Sequence, residues 1–168
     1  MKLFAKRTVL LPLSEHDFED ILKMYQEPDS AKFIAPLRTK GEAFFRGFLQ
    51  QKIISNQEEV GFWVVRHKET NAFIGTGNLN LFSLKDVTHV GCHLSTKFWG
   101  NGFGYEVMNR LKHYGIDDLE LEAVHGFVEE GHAASKAIMI KMGFKLIEQM
   151  DAGVVLNNYR YSEKPSKS

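Results

Sequence analysis

The spacing of apolar residues changes several times along this chain, and each change marks a predicted element. Residues 5–13 read as a strand through Val9-Leu10-Leu11. Ser14-Glu15-His16-Asp17 then has the form of a capping box with a shortened acid, opening a helix through Ile21, Leu22 and Tyr25 that stops at Pro28-Asp29. Thr39-Lys40-Gly41-Glu42 is a second capping box, ahead of a helix carrying Phe44, Phe45, Phe48, Leu49 and Ile53. Three strands at hairpin spacing follow: Phe62-Trp63-Val64-Val65, residues 73–81 after a turn at 68–71, and residues 87–94. Their short loops favour antiparallel pairing. Beyond them the pattern predicts a helix over 102–114, a strand over 119–128 and a helix over 133–142 ended by Gly143. A hairpin of residues 144–150 and 154–161 closes the chain.

The order β-α-α-β-β-β-α-β-α-β-β predicts an α/β (α+β) fold. Its centre is a mixed, mostly antiparallel, twisted sheet of about seven strands flanked by about four helices. The strands on either side of the 102–114 helix are expected to run parallel or to splay side by side through a right-handed crossover. A single domain is expected over residues 1–161, with 162–168 as a flexible tail.

Charge and composition narrow the function classes. The 168 residues include 21 basic and 21 acidic side chains, so the formal net charge is zero. A neutral surface offers no long-range field for a phosphate backbone, which argues against a nucleic-acid binder. Cys92 is the single cysteine, so an intrachain disulfide framework and multi-cysteine zinc patterns are excluded. No apolar run approaches the ~20 residues that a membrane-spanning helix requires. Pro12 and a polar stretch cut short the apolar run after Lys2, Lys6 and Arg7, unlike a signal peptide. A cytoplasmic protein with no membrane partner is expected.

Candidate chemistry centres on Phe98-Trp99-Gly100-Asn101-Gly102-Phe103-Gly104, between a strand and a helix. Alternating glycines clear side chains away from the backbone, and the first-turn N–H groups of the helix then face outward with the positive dipole end behind them. Such a turn suits phosphate or pyrophosphate. The spacing does not match a dinucleotide fingerprint, because Tyr105 and Val107 occupy the places of its last glycine. No Gly-Lys-Ser/Thr follows, so a P-loop is absent too.

These residues resemble the acyl-CoA signature of the GNAT acetyltransferase superfamily, Gln/Arg-x-x-Gly-x-Gly/Ala after a strand, with Trp99 in the first place. The branch resembling ribosomal-protein alanine/serine N-acetyltransferases commonly has tryptophan there. That branch also carries Asn-x-x-Ser, five residues, then Lys-x-Gly-Phe; here His132-Ala133-Ala134-Ser135 is followed by five residues and Lys141-Met142-Gly143-Phe144. His132 replaces the asparagine that helps hold the pantetheine arm. The amino-terminal Thr-Glu-Arg-Leu of the branch is reduced to Ala5-Lys6-Arg7-Thr8, and Leu11 stands where an arginine would precede Pro12.

The resemblance implies acetyl transfer from acetyl-CoA to a primary amine, on a small molecule or a protein amino terminus, by direct attack in a ternary complex. The 98–104 turn would take the pyrophosphate, and an amide near His93 or Leu94 would donate to the acetyl oxygen. His89 stands where a family glutamate often serves as base, and histidine titrates in the right range. His93, on the same strand face, is a weaker candidate base. Ser135 would serve the leaving thiolate or the pantetheine. Cys92 is expected to be a small buried hydrophobe rather than a nucleophile. No metal is expected, because His89 and His93 lie ~13 Å apart along a strand at ~3.3 Å per residue. The loop Phe33-Ile34-Ala35-Pro36-Leu37 is a candidate lid over an aromatic acceptor cleft. The alternatives are a non-catalytic acyl-CoA-binding module on the same fold and a nucleotide-binding protein. A monomer and a homodimer both remain open.

Overall fold

A computed structural model describes residues 1–30, 32–55 and 61–164. Strands β1 (Leu3–Phe4), β2 (Thr8–Pro12), β3 (Gly61–His67), β4 (Phe73–Phe82), β5 (Val87–Leu94), β6 (Val124–Glu129), β7 (Lys145–Asp151) and β8 (Val155–Tyr161) form one sheet. Helices α1 (Phe18–Tyr25), α2 (Ala35–Thr39), α3 (Glu42–Ser55), α4 (Phe103–His113) and α5 (Ala133–Lys141) cover its faces. The strand order is β1-β2-β3-β4-β5-β6-β8-β7. Among the described strands only β5 and β6 run parallel, and a single residue pair, His89↔His125, is in register between them. No described helix is long and apolar enough to cross a membrane.

The period-2 alternation of β3 explains how one sheet supports two apolar layers. Trp63 and Val65 join a cluster with Val107, Met108 and Leu111 of α4 and Met139 of α5. Phe62 and Val64 face the other way, with Phe18, Ile21 and Met24 of α1 and Leu49 of α3.

The described residues form eight strands and five helices, one more of each than expected. The first strand is two: Lys6 and Arg7 sit in a turn closed by the Ala5 N–H on the Thr8 carbonyl, so β1 folds back on β2. The extra helix is α2, where a lid loop was expected; Pro36 stands in its first turn, which tolerates proline. The first capping box forms, with the Ser14 N–H donating to Asp17 at 3.0 Å. The second does not take the expected form. Thr39 ends α2 and its hydroxyl turns back to the Ala35 carbonyl.

The strand expected over 119–128 is shorter, being β6 alone. Residues 114–118 continue α4 as one wide turn, in which the Leu119 N–H bonds the Tyr114 carbonyl. This turn keeps Tyr114 and Ile116 in the core. Gly115 permits it, because a Cβ there would stand 3.0 Å from Val124 and 3.3 Å from Leu79. The C-terminal glycine cap is present: Gly143 has φ +87° and the Phe144 N–H reaches the Met139 carbonyl. Of the expected tail, Ser162 is tied by its hydroxyl to the Glu122 carbonyl, and residues 165–168 lie outside the described set.

Candidate active site

The site begins with the hydrogen-bond parity of β5. In an antiparallel ladder, residues alternate between facing the partner and facing away. The Ser95 N–H donates to the Ile74 carbonyl at 2.8 Å, and Thr76 is paired with His93. This fixes the alternation: His93 and Gly91 bond back to β4, whereas the N–H and C=O of Cys92 and Leu94 turn toward β6. There the ladder holds only its one pair at His89, so these groups line a gap between two diverging parallel strands. Of the two amides expected near the acetyl oxygen, that of Leu94 faces the gap and that of His93 is turned to Thr76.

The glycine turn closes the end of this gap. Residues 96–98 make one 3-10 turn, then Gly100 (φ +74°) and Gly102 (φ +81°) adopt the left-handed conformation. Gly102 caps α4, whose first internal bond is Glu106 N–H to the Gly102 carbonyl; the N–H groups of Phe103, Gly104 and Tyr105 precede it and point outward. Nothing lies within 4 Å of a Cβ built at Gly100, so the backbone there is open to a ligand. Gly104 differs. Its Cβ would stand 3.1 Å from Ile138 and 3.7 Å from Leu94, so this glycine serves the approach of α5 to α4. Phe98 and Phe103 also point inward, edge to face at 5.7 Å. The Trp99 indole N–H donates to the Leu94 carbonyl at 2.9 Å, tying the turn to the strand end. Asn101 braces the turn through its side-chain amide on the Trp99 carbonyl.

Three further residues hold this geometry, and sequence reasoning did not single out their roles. The Arg7 guanidinium lies 4.0 Å over the Phe103 ring, donates to the Asn101 carbonyl and pairs with Glu106 at 2.9 Å. Glu106 also accepts the Arg7 and Thr8 N–H groups and the Thr8 hydroxyl. Glu27, just past α1, accepts from the hydroxyls of Ser95 and Thr96 and the Thr96 N–H, anchoring the start of the turn. An acid in the first turn of the 102–114 helix was a legible signal for Glu106; Glu27 carried none.

Burial works against the Glu106 charge, but the hydrogen bonds from Arg7 and Thr8 outweigh it and hold the carboxyl below its usual range. The stability it confers is complete above the ordinary glutamate pKa near ~4.3 and is lost as pH falls through the depressed folded value. Glu106→Gln is expected to cost about 1.5–3 kcal/mol, as for hydrogen bonds to a charged group. Thermal melts between pH 3 and 7 should show a lower Tm at neutral pH and a flatter acid limb. Melts superimposable on wild type would remove this role.

The titratable candidates separate clearly. Nδ1 of His89 lies 3.0 Å from the Asn80 carbonyl, so it carries the ring proton, and Nε2 stands 3.4 Å from the Asn78 amide. Burial lowers its pKa, the Asn80 contact opposes this, and Lys52 and His125 add to the lowering. His93 stacks on Tyr25 at 5.2 Å and 17°, and its Nε2 is buried without a hydrogen-bond partner. Burial lowers its pKa to about 4, with Glu27 opposing.

His132 caps α5 by position, but its ring stacks on Phe33 at 4.3 Å and 6°. With the Arg38–Glu129 pair at 3.1 Å, this stack clasps the α2 region to the end of β6. Ser135 lies in the first turn of α5, half-buried, and its hydroxyl makes no hydrogen bond among the described residues. The structure thus brings Leu94, Trp99 and residues 100–103 together at one end of the gap, with His132 at the cap and Ser135 in the first turn of α5, the helix that packs against Gly104. His89 sits back at the rung where β5 and β6 still pair. Burial pushes the Cys92 thiol up to about 12, which disfavours the thiolate a nucleophile would need. Among the described residues, no group of three or more His, Cys, Asp or Glu side chains could hold a metal ion.

Comparison with known proteins agrees with this geometry. The family model described as "Acetyltransferase (GNAT) domain" matches residues 7–145. The chain is 23% identical over 145 residues to the uncharacterized N-acetyltransferase YoaA of Bacillus subtilis, covering 85% of this chain and 82% of that protein. A GNAT-family acetyltransferase from Bacillus anthracis superimposes with TM-score 0.83 at 17% identity, covering 97% of this chain and 99% of the other. RimL, a ribosomal L7/L12 alpha-N-protein acetyltransferase solved with coenzyme A, superimposes with TM-score 0.81 at 14% identity, over 96% and 98% of the two chains.

Proposed function

We propose, for a chain that belongs to the GNAT acetyltransferase family, that acetyl-CoA is the donor and a primary amine, on a small molecule or a peptide or protein amino terminus, attacks it directly in a ternary complex. The chain is an acetyltransferase. The observation that carries the finer reading is the run of β5 amides facing the gap to β6, ending at a turn whose backbone is bare.

The residues present fit an acyl-CoA. The amides of the 98–104 turn and the first turn of α4 suit the pyrophosphate, which binds well at a helix N-terminus. Arg7, 37% exposed at its side chain and braced against the turn, adds a cation nearby. The extended amides of the pantetheine arm can continue the unpaired edge of β5 in the manner of an added strand. The Leu94 N–H would then polarise the acetyl carbonyl, and one such preorganised donor is worth about 2.7–4 kcal/mol. Ser135, whose hydroxyl makes no hydrogen bond among the described residues, would serve the departing sulfur. A histidine of β5, His89 or His93, receives the proton of the amine. The name RimL carries describes an acceptor that is a protein amino terminus; for this chain the acceptor is proposed only as a primary amine.

Acetyl-CoA at a hundred times its Kd is expected to stabilise the fold by about 2.7 kcal/mol. At about 2–4 °C per kcal/mol for a chain of this size, the melt should rise by roughly 5–11 °C. ATP and NAD at the same concentration should leave it unmoved. A folded protein whose melt does not respond to millimolar acetyl-CoA would overturn the reading, and a response without CoA release on any amine would leave a binding module.

A further inference from the structure

We propose that Nε2 of His93 is the atom that accepts the N–H of the attacking amine and takes its proton. This inference rests on the acetyl-transfer reading above and names the residue which that reading leaves open.

Among the described residues, Nε2 of His93 is the one fully buried side-chain nitrogen or oxygen without a hydrogen-bond partner. Native proteins satisfy nearly all buried polar atoms, so an exception at a functional edge points to a partner met in use. The alternative base, His89, is already engaged at Nδ1 by Asn80 and approached at Nε2 by Asn78. His93 directly precedes Leu94, whose N–H faces the β5–β6 gap. Its side chain rises on the sheet face covered by α1, which is where an acceptor must approach an acetyl group lying in the plane of the sheet.

The Tyr25 stack fixes the ring, yet leaves the in-plane lone pair of Nε2 uncovered by that contact. Nε2 is closed to solvent, so an amine must displace a neighbour to reach it. Tyr25 is in contact, and its hydroxyl makes no hydrogen bond among the described residues. The groups facing His93 are Tyr25 of α1 and Glu27 just beyond it, while β4 presents Thr76 across the ladder. Lys52 of α3 acts on His89 instead. Burial keeps the imidazole neutral, with its pKa lowered to about 4, so one ring nitrogen carries a lone pair throughout the range in which amines react. That lone pair is assigned to Nε2. Glu27, held by Ser95 and Thr96, favours the imidazolium that forms on transfer.

In the transfer, the amine nitrogen bonds to the acetyl carbon and the carbon–sulfur bond breaks. The electron pair leaves on the CoA sulfur. Nε2 of His93 takes the amine proton, the Ser135 hydroxyl relays a solvent proton to the sulfur, and the imidazolium returns its proton to solvent when the products leave.

The test is CoA release by wild type, His93→Ala and His93→Gln. Spermidine, glycinamide and tetrapeptides beginning with alanine or serine are the acceptors, each assayed from pH 4 to 9. Acetyl-CoA melts run in parallel on the same proteins. Both variants should lose 10²–10³-fold in kcat, as for removal of a general base, while keeping the acetyl-CoA melt response. Protonation of the acceptor amine, with a pKa of ~8 for an α-amino group, sets the acid limb in wild type and variants alike, so kcat is compared at pH 8–9 where the free amine is abundant. Added imidazole should restore part of the rate to His93→Ala, which a purely structural role would not allow. Variants within threefold of wild type, or losing the melt response together with turnover, would overturn the assignment and leave acetyl transfer standing. Wild type that binds acetyl-CoA but turns over no amine would overturn the assignment and catalysis, and no melt response at all would overturn donor binding.

Discussion

Gly102→Val is expected to abolish the acetyl-CoA melt response in a protein that still folds. Gly102 has φ +81°, where a β-branched residue is strained by about 1–3 kcal/mol. Its carbonyl must accept the first α4 bond, from Glu106, while the next three N–H groups stay aimed outward. A side chain there would also project toward Nη2 of Arg7, 3.5 Å from the new Cβ, and crowd the cation beside the turn. Strain alone is separated by a matched control. Gly153, in the β7–β8 hairpin, has φ +85° with nothing within 4 Å of a Cβ. Gly153→Val should lower the melt by a comparable amount and keep the full response of roughly 5–11 °C, by the same conversion as for wild type. Retention of that response in Gly102→Val would show that the pyrophosphate lies elsewhere.

The glycine turn was legible because its residues are exceptional in sequence: no other segment sets glycines at 100, 102 and 104 between a strand and a helix. What the sequence could not separate was purpose. Gly100 and Gly102 have positive φ, but Gly104 is there for Ile138, a contact nearly 35 residues away. The amphipathic helices were legible for the same reason that they form, since one stripe must meet the sheet. The β1–β2 split was not, because Lys6-Arg7 is turned by pairing with distant partners, among them Glu106. Nor was the wide turn at 114–118. The pattern ends the helix at 114 and starts a strand at 119, and only the packing of Tyr114 against Trp63 and the rest of the core carries the helical turn onward. Histidine positions were visible, but which lone pair is free depends on Asn80, Asn78 and Tyr25, and on the ladder parity set at Ser95.

That parity leads to the second large effect, at a glycine the turn does not contain. Gly75 stands opposite Leu94 in a close pair of the β4–β5 ladder, beside the irregularity where Val65 pairs Gly75 and Arg66 skips to Phe73. A Cβ on Gly75 would overlap the His93 carbonyl oxygen and lie 2.8 Å from the Leu94 Cα. These are backbone atoms of a central strand, so no rotamer change relieves the clash. Gly75→Ala must therefore push β5 off β4 at the residues that carry the Leu94 amide and the His93 ring. The expected loss is about 3 kcal/mol or more, at the upper end for overpacking. Any folded fraction should turn over about 100-fold more slowly, because a shift near 1 Å misplaces the donor. Gly77→Ala gives the contrast two residues along the strand. Its Cβ would meet side-chain methyls alone, those of Leu111 and Val107 at 3.0 and 3.1 Å and of Leu10 at 3.8 Å, which can yield. That variant should lose about 1 kcal/mol, toward the lower end for overpacking, and retain wild-type kcat. Denaturation curves and CoA release on the two variants decide it: equal losses at both positions would mean that β5 is free to move and that its register does not set the reacting geometry.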